Sequence, residues 1–252
     1  IACPPNNLTR IYLAVTGWER IDNVEAGVLG SDVESRYDFE RRRQNSVAIA
    51  STSMVASVRS AVWALPGVTD VYAAENDTSA PITLGATSVQ IPPHCLYVCV
   101  AGGSDDDIAH AIQSRKSAGC NTVGNTSYTI EVREGYAQPF PSYTYRWQTP
   151  KVTPIYFDVS LVKDNRLPAD IVQQVKDAVV SAFAGQDGKQ RAQIGANIYS
   201  GRYYSAVQDV HVAVQISALT IGKTASAGVG VVQIGIDELP TLDLSNINVT
   251  VA

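Results

Sequence analysis

The sequence predicts an α+β chain: two mixed α/β modules with similar helix-turn-strand units, preceded by a partial N-terminal segment. Three observations predict it. Residues 47–65 run without Gly or Pro, stop at Pro66-Gly67, and give way at once to Val68-Thr69-Asp70-Val71-Tyr72. The near-continuous apolar run 95–101 ends at Gly102-Gly103, where Ser104 opens a helix. The second half repeats a strand followed by a helix, at 154–162 and from Leu167-Pro168 onward. The expected division is residues 1–33 for the partial segment, 34–134 for the central module and 135–252 for the C-terminal module.

The elements follow in order. Residues 8–15 alternate well enough for a strand or a short helix, and Thr16-Gly17-Trp18 breaks the pattern. A charged stretch, 34–43, leads into the long helix of 47–65, expected to be mostly buried. Residues 77–88 carry Pro81 and Gly85 and read as a loop or hairpin. The strand at 95–101 lacks polar alternation, which predicts burial on both faces. Its helix runs from Ser104 to about Ser117, with Asp105, Asp106 and Asp107 favourably placed in the first turn, and Gly119 stops it. Residues 126–133 alternate as a strand. Residues 135–150 are rich in Pro, Tyr and Trp and read as a linker or exposed arm. Past it come the strand 154–162, a helix ending near Gly185, and a second helical stretch at 189–204, weakened by Gly195 and Gly201. A long strand at 207–221 and further strands at 228–236 and 247–251 complete the chain. Gly67-Val68-Thr69-Asp70-Val71 and Ala206-Val207-Gln208-Asp209-Val210 echo each other after helices.

Composition narrows the function. Of 252 residues, 45% are hydrophobic and 17% charged, a low charged fraction that favours a subunit with covered surfaces. Net charge is −5 with 19 Lys and Arg, against the clustered cations a nucleic-acid binder needs. No stretch reaches the roughly 20 apolar residues of a spanning helix. The chain opens at Ile1 with neither an initiator Met nor a signal-peptide pattern, which predicts a processed or trimmed piece. Cys3, Cys95, Cys99 and Cys120 form no CxxC. Cys95 and Cys99 share a strand face roughly 13 Å apart, too far for a disulfide. They read as small buried apolar residues in a reducing compartment.

Candidate chemistry is sparse. Gly102-Gly103-Ser104 before a helix could cradle phosphate, but three Asp follow and would repel it. The same Asp run lacks calcium-loop spacing. His94, His110 and His211 are scattered, and His94 and Cys95, as neighbours in a strand, point to opposite faces. Glu19, Glu25 and Glu34 carry no mark of a glycosidase pair. Catalytic, cofactor and metal residues are therefore expected to be none. The candidates for a subunit interface are Phe140, Tyr143, Tyr145 and Trp147, large rings between prolines, and Arg41, Arg42 and Arg43 ahead of a helix.

Four ordered segments carry a family resemblance. They are Gly30-Ser31-Asp32-Val33-Glu34-Ser35 through Phe39, Arg41 and Arg42; Pro66-Gly67-Val68-Thr69-Asp70-Val71 with Glu75-Asn76-Asp77-Thr78; Ile91-Pro92-Pro93-His94 with residues 98–103, Asp107-Ile108-Ala109 and Ala111-Ile112; and Lys116, Gly119, Thr122, Gly124 and Asn125. Gly235-Ile236-Asp237-Glu238-Leu239-Pro240 fits the closing strands. The chain resembles the Baseplate J-like proteins of Mu-like phages and related contractile tails over most of its length. It departs from them in Cys95, where the family pattern has Ser, in Ala206, where a turn Gly is usual, and in lacking the family's N-terminal region. The resemblance implies a non-enzymatic wedge component of a virion tail baseplate, assembled in the bacterial host cytoplasm. Its implied partners are other copies of itself, as a dimer or ring, neighbouring wedge proteins, and the sheath or tube initiator. It brings no cofactor, nucleic acid or membrane, and no catalytic residues to carry over. The rival classes are a host-surface binding module, which would show exposed aromatics around a concave site, and a tail-associated lytic enzyme, which would show converging carboxylates.

Overall fold

The computed structural model describes residues 4–13, 16–17, 19–26, 36, 39–40, 42–43, 46 and 54–252. The chain divides into two compact units, Ile1–Arg36 and Tyr37–Ala252. In the first, the described residues form no helical or strand element before Arg36, so the element expected at 8–15 is not present in its described part, 8–13. The segment is instead gathered around Asn23. The Asn23 side-chain oxygen accepts the N–H groups of Asn7 and Leu8 at 2.9 Å, and its amide donates to the Pro4 and Glu25 carbonyls at 2.9 Å. One side chain thus replaces a backbone ladder, as Asn does in turns.

The second unit holds both helices and strands and is an α+β fold. Its first elements are α1 (Val55–Trp63), β1 (Val68–Asn76), the hairpin β2 (Ile82–Leu84) and β3 (Val89–Ile91), then β4 (Cys95–Gly102), α2 (Asp105–Arg115) and β5 (Asn121–Val123). Of the helix expected at 47–65, residues 47–53 lie outside the described residues. The remainder stops as expected, with Gly67 at φ +77° turning the chain into β1. The sheet order is β1-β4-β5, with β4 antiparallel to β1 and parallel to β5.

The sequence reading of β4 holds: seven of its eight residues are buried. Strand alternation assigns them to two different cores. Leu96, Val98 and Val100 face Val58, Val62, Ile108 and Ile112 of α1 and α2, together with Ile130, Tyr145 and Trp147. Cys95, Tyr97, Cys99 and Ala101 face Ile91, Ile194 and Ile236.

Strands β6 (Thr126–Glu131) and β7 (Ser142–Trp147) form an antiparallel hairpin, Thr126 opposite Trp147 and Glu131 opposite Ser142. The residues expected to be a linker or exposed arm therefore include a paired strand. Its inner side chains, Tyr145 and Trp147, complete the first core, so this core extends past residue 135. Beyond Trp147, Gln148 bonds Val98 and Val100 of β4 at 2.8 and 2.9 Å.

The remaining elements are β8 (Lys151–Pro154), β9 (Tyr156–Leu161), α3 (Ile171–Ala184), β10 (Asn197–Tyr199), a 3₁₀ turn (Ser200–Tyr203), α4 (Tyr204–Gln208), β11 (Ile216–Gly222), β12 (Val231–Gln233), β13 (Glu238–Thr241) and β14 (Ile247–Val251). The second three-stranded sheet has the order β11-β9-β14, with β9 antiparallel to β11 and parallel to β14. Like the first sheet, it gives its middle strand one antiparallel and one parallel neighbour, although here the middle strand comes first in the chain. One face carries a core of Phe157, Val159, Leu161, Val175, Val179, Tyr203 and Val207, and Phe157 meets the Tyr203 ring edge-on at 4.7 Å. Parallel β8–β13 and antiparallel β10–β12 pairs close the structure.

Two expectations in this half are overturned. Residues 189–204 are not one helix. The chain is irregular to 196, because Gly188 and Gly195 sit at φ +75° and +72° and Gly195 donates its N–H to the remote Gly235 carbonyl. Nor is 207–221 one strand. Tyr203 and Val207, one helical turn apart, both point into the second core, so packing keeps Val207 helical, and turns follow until Ile216. The echo at 67–71 and 206–210 thus pairs a strand with a helix end; the likeness between the halves lies in their sheets.

Candidate interaction surface

Several described residues among those that carry the family resemblance hold backbone in place. Gly67 and Gly102, both left-handed, pass so close that a Cβ on Gly102 would overlap the Gly67 carbonyl oxygen. Asn76, 2% exposed, bonds the carbonyls of Ala80, Ile91 and Pro92 at 2.8–3.0 Å, while its oxygen accepts the Thr78 N–H at 3.0 Å and hydroxyl at 2.7 Å. It pins both ends of the β2–β3 hairpin. Gly124 lets the Trp147 backbone approach where a Cβ would collide, and Asn125 clamps Thr149 by its N–H (2.7 Å) and carbonyl (3.1 Å). Lys116 donates to the Cys120 carbonyl at 2.5 Å, and Thr122 Oγ1 accepts the Arg146 N–H at 2.8 Å. In the closing segment, Gly235 donates to Glu238 at 2.7 Å.

The predicted interface residues separate. Trp147 (1% exposed) and Tyr145 (7%) are core residues, which corrects the expectation that they face a partner: α2 and β4 already cover that side of the hairpin. Tyr143 shares their face but lies beyond the core's edge and is 47% exposed. Phe140 is half-buried, with the Arg133 guanidinium 5.8 Å from its ring centre. Arg41 lies outside the described residues. Arg43 is paired with Glu40, three residues before it, at 2.6 Å, and Arg42 lies 5.3 Å from the Phe39 ring.

The hairpin adds two exposed rings that the sequence reading did not single out, Tyr136 in the loop and Tyr128 on β6. Tyr136 falls within the same Pro- and Tyr-rich stretch, a signal that was available. Tyr128 was hidden in an ordinary alternating strand; its hydroxyl is pushed up by the neighbouring Asp106 carboxylate. Tyr128, Tyr136 and Tyr143, with Phe140, give one hairpin several large amphipathic rings of the type enriched at interfaces.

Other clusters do not assemble chemistry. His94, at φ +52°, shares a cavity of about 400 Å³ with Glu75, Asp77 and Cys120. Among the described residues no three His, Cys, Asp or Glu are placed to hold a metal. Ser104 occupies the N-cap position of α2 without a side-chain cap bond, and His110 turns back onto the Asp106 carbonyl at 2.9 Å. Cys95, Cys99 and Cys120 are free thiols; burial raises Cys95 and pushes Cys99 up to about 12. Glu34 is outside the described residues, and Glu19 and Glu25 are exposed in the N-terminal unit. Among the described residues no helix is long and apolar enough to cross a membrane. The sequence matches no family model and no curated protein.

Proposed function

We propose that this chain is a structural subunit of a phage or prophage contractile-tail baseplate, working by self-association and by contacts with neighbouring wedge proteins. The observation that carries the reading is the use made of the residues of the resemblance: Gly67, Gly102, Asn76, Gly124, Asn125 and Lys116 all fix turns and strand junctions. A pattern whose members serve backbone geometry suits a protein whose product is a shape. The exposed rings of the β6–β7 hairpin supply low-entropy contact area of the kind such a subunit offers to partners.

The test is native mass measurement of the chain co-expressed with baseplate proteins of a contractile tail. A complex that survives purification and weakens in Tyr136→Ala/Tyr143→Ala supports the reading. Failure to join any of them, or cell-wall clearing in a zymogram, would refute it.

A further inference from the structure

We infer that the Asp70 carboxylate is the joint that makes the two sheets of residues 54–252 unfold and move as one body. The inference goes beyond the proposed function, since it concerns this chain alone. The two main cores are separate: one is built on the even-numbered face of β4, the other on β9. Between them lies a smaller cluster, to which the second half contributes mainly Ile194, Ile236 and Leu239. The Tyr97 hydroxyl adds a buried bond to the Ile236 carbonyl at 3.3 Å and the Thr87 hydroxyl an exposed one to Asp237, but contacts of that size leave relative motion as the default expectation.

Asp70 alters this. It is the third residue of β1 and is 2% exposed. One oxygen takes the N–H of its neighbour Val71 at 2.9 Å and the Arg191 guanidinium at 2.9 Å; the other takes the Ile194 N–H at 2.8 Å. Arg191 donates again to the Thr69 carbonyl at 2.6 Å, and its guanidinium lies 5.2 Å from the centre of the Trp63 ring. The irregular segment 186–196 is therefore a strap bonded to β1. The strap is also bonded to the second half: Ala192, between Arg191 and Ile194, donates to the Phe183 carbonyl at 3.1 Å, and at the strap's start Asp187 takes both terminal nitrogens of Arg202 at 2.6 Å. Helix α3, the strap and β1 form one unbroken chain of contacts.

A buried carboxylate holding donors from both bodies makes separation costly, because parting strands the charge without its partners. Apolar contact alone would loosen by degrees. The strap is also seated sterically: Gly195, at φ +72°, brings its backbone against the Tyr72 ring, where an added Cβ would stand at 3.0 Å.

The test uses residues 1–252 with Trp18→Phe throughout, so that emission comes from Trp63 and Trp147 at the first core, while far-UV circular dichroism reads both halves. In the parent chain the two urea curves coincide. In Asp70→Asn they are expected to part, and the Ile194 amide should exchange roughly a hundredfold faster. Arg191→Gln keeps both backbone bonds to Asp70 and provides the reading if Asp70→Asn does not fold; a smaller separation is expected. Asp158→Asn, which removes a carboxylate bonded to Asn248 on the second sheet, is the control and should leave the curves together. Coincident curves with undiminished protection of 191–195 in both joint variants would overturn the inference.

Discussion

Trp147→Ala separates a core residue from an interface residue. The side chain is 1% exposed and packs with Ile112, Ile130 and Val98. A buried aromatic ring of this class removes about 150–250 Å² from water, which at about 25 cal/mol per Å² corresponds to roughly 4–6 kcal/mol as an upper bound. Measured Trp or Phe to Ala changes in cores cost about 3–5 kcal/mol, the cavity included. We expect a loss in that range by urea denaturation with circular dichroism. The corresponding fall in Tm is about 6–20 °C, since 1 kcal/mol is worth about 2–4 °C in a chain of this size. Tyr143→Ala, four residues away on the same face, removes a ring that is 47% exposed and should stay within about 1 kcal/mol. Equal stability losses in the two variants, or a Trp147→Ala chain that loses partner binding but not stability, would refute the assignment of Trp147 to the core.

Other outcomes follow from the same geometry. Burial raises the Glu238 carboxyl, but Lys223 at 2.5 Å and the Gly235 N–H outweigh it, so the group lies below its ordinary 4.5. The stability it contributes is thus complete above pH 4.5 and lost as pH falls through the lower folded value; Glu238→Gln should flatten that acid limb in urea titrations between pH 6 and 3. Gly102→Ala places a side chain at φ +77° against the Gly67 carbonyl and should cost more than about 1 kcal/mol, read by the same unfolding curves, whereas Gly119→Ala has strain but open space and should cost less. Ellman's reagent on the native chain, followed by peptide mapping, should label half-buried Cys120 well before Cys99, whose thiol burial holds near 12.

What the sequence revealed depended on how local each cause was. Strand β4 was legible because an apolar run closed by two glycines needs no partner to be recognised, and α3 because Pro168 and Gly185 bracket it. The strap at 186–196 was hidden: its conformation answers to Asp70 and Gly235, 124 residues before Ile194 and 40 residues after Gly195. The aromatic stretch was misread in part for a related reason. Alternation correctly put Tyr143, Tyr145 and Trp147 on one side, but only the position of α2 and β4 decides where along that side the core stops. Segments whose conformation is marked by their own residues are readable; those whose conformation is set by bonds to remote residues are not.

That same limit bears on how the molecule is divided. A strand apolar on both faces requires two coverings. The even face of β4 is covered by helices and strands between Val55 and Trp147, but the odd face takes Ile194 and Ile236 from the far half of the chain. Ile236 is fitted closely: added Cβ atoms on Gly85 and Gly195 would stand 2.9 and 3.4 Å from its Cγ2. Cutting the chain at residue 135 would expose Cys95, Tyr97, Cys99 and Ala101 on one side and remove Tyr145 and Trp147 from the other. The first half therefore lacks a complete core of its own, and the two sheets, though alike in the polarity of their strands, are not interchangeable units: one depends on a neighbour to cover its second face, while β9, with Tyr156, Asp158 and Ser160 half-exposed on its outer side, does not.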